Sequence, residues 1–108
     1  MAKAYFIPAI LAQGWRLAGA NISPQLLMIE VSGTNNAQDF LKSVGHLSAG
    51  LLKDELVQFR QAKWYLPRVV VVHIPSQFQR EVEQEVKEIA LELRINIDIG
   101  YEDMRITL

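Results

Sequence analysis

The run Arg68-Val69-Val70-Val71-Val72-His73-Ile74-Pro75 constrains the fold of this chain more than any other stretch. Four consecutive β-branched residues favour extended backbone. Side chains alternate along a strand, so Val69 and Val71 face one way and Val70 and Val72 the other, and both faces need cover. A strand that is apolar on both faces belongs inside a parallel sheet, where the carboxyl end of the strand is the customary place for binding and chemistry. Pro75 supplies no ladder donor, so the strand stops near His73 and delivers its imidazole to the sheet rim.

A chain of 108 residues, 50% of them hydrophobic, has room for one domain with a core. Its net charge of −1, from 11 basic and 12 acidic residues, creates no long-range field to gather nucleic acid or an anionic membrane, so neither is an expected partner. The absence of cysteine excludes a disulfide framework and any thiolate metal site, and suits the reducing cytoplasm expected as its location. The apolar opening carries Pro8, Gln13 and Arg16. It is too short to span a bilayer and is read as an ordinary folded segment.

The other elements follow from periodicity and caps. Pro8 suits a first helical turn, and Ile10, Leu11, Trp15 and Leu17 predict a helix over 8–18, followed by a turn ending at Pro24. Residues 25–31 read as a second strand. An acid in a buried strand costs free energy unless it is paired or lies at the rim, which makes Glu30 a candidate site residue. From 37 to 62 the pattern is helical but broken. Phe40, Leu41 and Val44 form one stripe, and Ser48 is placed to cap a helix carrying Leu51, Leu52, Leu56 and Phe59. Between them Gly45 permits backbone geometry that other residues avoid. It sets His46 just ahead of a helix start, where unpaired N–H groups favour negative charge.

After Pro75, Ser76 is expected to cap a helix whose apolar face is Phe78, Val82, Val86, Ile89 and Leu93, with the charged run from Arg80 to Glu88 on its solvated side. Residues 96–99 alternate as a strand, Gly100 turns, and 104–108 read as a final strand, the second arm of a hairpin. The order α-β-α-β-α-β-β predicts a small single α/β domain on a mixed, mostly parallel sheet. If its strands run in one direction, both crossover helices lie on one face. The other, apolar face then calls for the N-terminal helix, a second copy of the chain or a protein partner. Trp15, Trp64 and Tyr65 have no surrounding cluster of Lys and Arg, so they are read as packing or interface residues rather than base-stacking platforms.

Three motifs in order carry a family likeness: Leu27-Met28-Ile29-Glu30-Val31-Ser32; Gly45-His46-Leu47-Ser48 with Leu51, Glu55 and Leu56; and Val70-Val71-Val72-His73-Ile74-Pro75 before an acidic amphipathic helix and a closing strand. This succession resembles the C-terminal part of a metallo-β-lactamase-fold phosphodiesterase, of the class II cyclic-nucleotide phosphodiesterase and ribonuclease Z type. The resemblance covers about residues 25–108 and leaves 1–24 as an N-terminal helix and turn. It implies the C-terminal half of that fold, with His73 as a metal ligand and His46 as a catalytic histidine beside the scissile phosphate. The metal implied is zinc or manganese, which activates water while a nearby histidine assists the leaving oxygen.

The family's main metal motif, His-x-His-x-Asp-His, is absent, and the chain has 2 histidines in all. Where the family carries a bridging aspartate in a Gly-Asp turn, this sequence reads Gln13-Gly14-Trp15-Arg16, and its late motif is shortened to His73-Ile74-Pro75. Two imidazoles do not close a catalytic zinc site, which takes three protein ligands. The expected function is therefore a non-catalytic interaction or regulatory module derived from that fold, with no cofactor of its own. The alternative is the C-terminal part of a metal-dependent phosphodiester hydrolase, its zinc or manganese site completed by another chain. A third possibility is an unrelated receiver-like α/β binding module. That would need clustered acids at strand ends, where the sequence places Glu30 alone.

Overall fold

The computed structural model describes residues 4–7 and 25–100. They form four strands, β1 (Ala4–Ile7), β2 (Leu26–Glu30), β3 (Arg68–Val72) and β4 (Ile97–Ile99), and three helices, α1 (Gln38–Ser43), α2 (Ala49–Lys63) and α3 (Gln79–Leu93). The sheet runs β1-β2-β3-β4 in space, and every pairing is parallel. The chain is thus a small α/β domain with the valine strand inside its sheet.

Strand β1 is absent from the sequence reading, which takes Pro8 as a helix start. A proline ends a strand as readily as it opens a helix, and Tyr5, Phe6 and Ile7 are strand formers. The helix expected over 8–18 and the strand expected over 104–108 lie outside the described residues. Their absence from view leaves the expected hairpin without a description, whereas all four described strands are parallel.

The one-directional strand order places both crossover helices on one face. There Leu27, Ile29, Val31, Val69 and Val71 from the sheet meet Leu52, Leu56 and Phe59 of α2 and Val82, Val86, Ile89 and Leu93 of α3. Each of these side chains contributes about 1.5–3 kcal/mol by leaving water. The apolar residues recur at helical spacing, which is why α2 and α3 can lie side by side and bury one stripe each.

The opposite face carries Leu26, Met28, Val70 and Val72 by strand alternation. Leu26 and Val70 are only 3% and 1% exposed. The apolar face expected to need cover, from the N-terminal helix or from another chain, is therefore not bare at its centre.

The helix ends follow local chemistry. Ser48 caps α2 as expected, its hydroxyl accepting from the Leu51 N–H at 3.2 Å. Ser76 does not cap α3. It opens a short 3-10 turn, Ser76–Phe78, and α3 starts only at Gln79, because the chain leaving Pro75 tightens into a turn first. At the far end the Ile95 N–H reaches the Ala90 carbonyl at 3.0 Å around a left-handed Arg94, φ 57°, the closing bond of a Schellman motif.

Candidate functional site at the carboxyl rim

Glu30 is the last residue of β2 and pairs in register with Val72, the last residue of β3. Regular alternation would turn the next side chain, that of His73, toward the helices and away from Glu30. The strand instead stops at Val72, and His73 takes φ 56°. Left-handed backbone is uncommon for a non-glycine residue, though histidine tolerates it better than branched residues do. The turn brings the imidazole back over the strand ends, where its Nδ1 lies 3.0 Å from Glu30 Oε1. The imidazole is 68% exposed and the carboxylate 25%, so solvent screens their attraction and the pair fixes orientation more than it stabilises the fold.

His46 arrives at the same rim by a different route. Helix α1 ends in a second Schellman motif, in which Gly45 at φ 79° lets the His46 N–H reach the Leu41 carbonyl at 2.8 Å. The Ser32 N–H then donates to the Leu47 carbonyl at 2.9 Å, pinning this loop to the chain just beyond β2. With the loop in place, Ser32 Oγ and His46 Nδ1 share a hydrogen bond at 3.3 Å.

All three residues singled out from sequence, Glu30, His46 and His73, thus gather at the carboxyl rim. Each histidine turns its Nδ1 to the end of β2, His73 through Glu30 and His46 through Ser32. Ser32 was not among the candidates. Its signal was its position two residues after Glu30, the strand period, just beyond a strand end that already held an acid.

The open helix terminus expected beside His46 is filled from within. Asn35 Oδ1 accepts from the Gly50 N–H at 2.8 Å, and Ser48 Oγ accepts from Leu51. Asn35 is itself held by α3, its N–H donating to the Glu85 carboxylate at 3.0 and 3.3 Å. Two donors that would attract an anion at the start of α2 are already bound.

The donor set fits a catalytic zinc or manganese ion poorly. Among the described residues no three His, Asp or Glu side chains converge on a point that could hold a metal. Glu30 and His73 supply one carboxylate and one imidazole, and His46 is tied to Ser32. A receiver-like acidic cluster is likewise not formed among these residues.

Searches against protein-family models, curated proteins and solved structures return no match for this chain. Among the described residues no helix is long and apolar enough to cross a membrane.

Proposed function

We propose that this chain is a non-catalytic relative of the metallo-β-lactamase-fold phosphodiesterases, working in the cytoplasm as an interaction or regulatory module by contact with a second copy of itself or another protein. One observation carries the reading. Both histidines that the resemblance assigns to chemistry lie at one rim, and each is held by a neighbour in its own chain, Glu30 for His73 and Ser32 for His46. Beside them the described residues supply no third ligand.

The test is metal content and hydrolysis. Purified protein dialysed against zinc or manganese should retain less than stoichiometric metal and leave bis(p-nitrophenyl) phosphate intact. Stoichiometric metal that disappears in the His73→Ala variant would overturn the reading.

One observation favours the second reading, a hydrolase completed by another chain. An imidazole whose other nitrogen faces a carboxylate is the usual arrangement of a metal-bound histidine, because the carboxylate fixes the ring. Under that reading Glu30 orients His73 toward ligands supplied in trans. Metal uptake and phosphodiester hydrolysis would then emerge only on mixing with the completing chain, and both would weaken in Glu30→Gln.

A further inference from the structure

Helices α2 and α3 run to the amino rim of the sheet, opposite the histidines, where β3 and β4 begin shortly after them. Arg60 Nη1 ties the two ends together by donating to the Leu93 carbonyl at 3.2 Å. The residue that follows each helix is left-handed, Trp64 at φ 70° and Arg94 at φ 57°. Glycine or asparagine fills such a position at lower cost, so neither large side chain is there for the sake of its helix end. Trp64 is 89% exposed. Among the described residues no acid forms an ion pair with the Arg94 guanidinium.

Between the stretches of chain that leave these two residues lies an open cleft of about 480 Å³, lined by Leu66, Pro67 and Ile95 together with Arg68, Asn96 and Asp98. The last turn of α2 brings Arg60 and Lys63 to the same end. Four cations, Arg60, Lys63, Arg68 and Arg94, thus stand against the Asp98 carboxylate, which Arg68 already engages at 3.0 Å. Glu92, at the end of α3, is answered by Lys53 of α2. The whole chain has a net charge of −1, so this basic excess is local. It faces an aromatic ring and an apolar cleft, a combination suited to a partner that is acidic and carries an apolar residue. Stacked bases fit less well, because the other ring at this end, Tyr65, stands edge-on against Phe59 at 5.4 Å and does not extend the Trp64 surface into a platform.

We propose that the amino rim binds an acidic protein segment, which sets an apolar side chain in the cleft and turns its carboxylates toward Arg94 and the last turn of α2, alongside the Trp64 indole. The proposal rests on the reading of this chain as an interaction module and names the chemistry of its partner. Tryptophan and arginine are the residues that most often dominate interface energetics once buried, and the basic excess steers an acidic segment toward them.

Fluorescence anisotropy of a short fluorescein-labelled peptide in which leucine alternates with glutamate tests it. The wild type should bind with a dissociation constant below about 100 μM at low salt, and binding should fade as salt is added. Trp64→Gly and Arg94→Gly should each weaken it at least about 10-fold. Glycine suits both left-handed positions, so both variants should melt no lower than the wild type, and either alone decides the matter. No binding at millimolar protein, binding that survives both substitutions, or tighter binding to oligo(dT) or to phosphatidylserine vesicles would overturn the proposal. Failure here leaves the metal and hydrolysis test untouched, since that test probes the opposite rim.

Discussion

The two rims of the sheet handle the same local strain in opposite ways. At the carboxyl rim His73 adopts φ 56° and the turn carries its ring to the Glu30 carboxylate. At the amino rim Trp64 adopts φ 70° and the turn carries its ring into solvent. Left-handed backbone at a non-glycine residue costs on the order of 1–3 kcal/mol in either place. What separates the two is where the side chain goes: one meets a carboxylate inside the chain, and the other is exposed. Strain alone does not mark a functional residue.

The comparison can be broken most forcefully from below, through the core that both rims share. Phe59 is fully buried and its ring meets Tyr65 edge-on at 5.4 Å, so Phe59→Ala should cost about 3–5 kcal/mol in urea unfolding. Amide exchange should rise first around residues 64–66, at the amino rim. Gly100→Ala attacks the carboxyl rim instead. A Cβ there would lie 2.8 Å from Val72 Cγ1 and 3.3 Å from the Val71 carbonyl oxygen, which accepts from the Gly100 N–H at 2.7 Å. With backbone on one side the neighbour cannot simply give way, and a loss of about 1–3 kcal/mol is expected, with the His46 and His73 ring resonances shifting together.

Trp64→Gly should go the other way, gaining about 1 kcal/mol of stability in the same urea unfolding. A loss would mean that the indole stabilises its own chain. The finest discrimination comes from Glu30→Gln and His73→Asn, singly and together. Asparagine tolerates the left-handed turn, so the double-mutant cycle isolates the carboxylate–imidazole pair from the backbone, and its coupling should stay below about 1 kcal/mol and fade with added salt. A larger coupling, insensitive to salt, would show that the pair is a structural clamp.

Much of this arrangement was legible in the residues. Four valines in a row and a following proline located β3 and its end, and the apolar spacing of α3 left little choice of face. An acid closing an otherwise apolar strand singled out Glu30, and its partner proved to be the histidine just past the end of the neighbouring strand. What stayed hidden depended on distance or on ambiguous local cues. The short apolar opening carried no period of its own and was read only as a folded segment, so β1 was missed. The cap of α3 was misplaced because Ser76 offers a hydroxyl, whereas the chain leaving Pro75 first takes a 3-10 turn. The filling of the α2 amino end by Asn35 could not be foreseen, since it depends on a loop held from the far side by Glu85, fifty residues later in the chain.

The parallel register also says something about the order in which this chain assembles. Leu26 pairs with Arg68, and Val69 with Ile97, so neither of these two strand pairs can zip up from a tight turn. Each must wait until an intervening helical segment has collapsed, because closing the chain costs entropy before any ladder bond returns it. The unit from β3 through α3 to β4 encloses less chain than the one from β2 to β3, and it contains the strongest helix. It should therefore gain amide protection first in pulsed exchange during refolding, with the Glu30–His73 contact forming only as the sheet closes. If β2 amides are protected ahead of α3, that sequence of events is wrong.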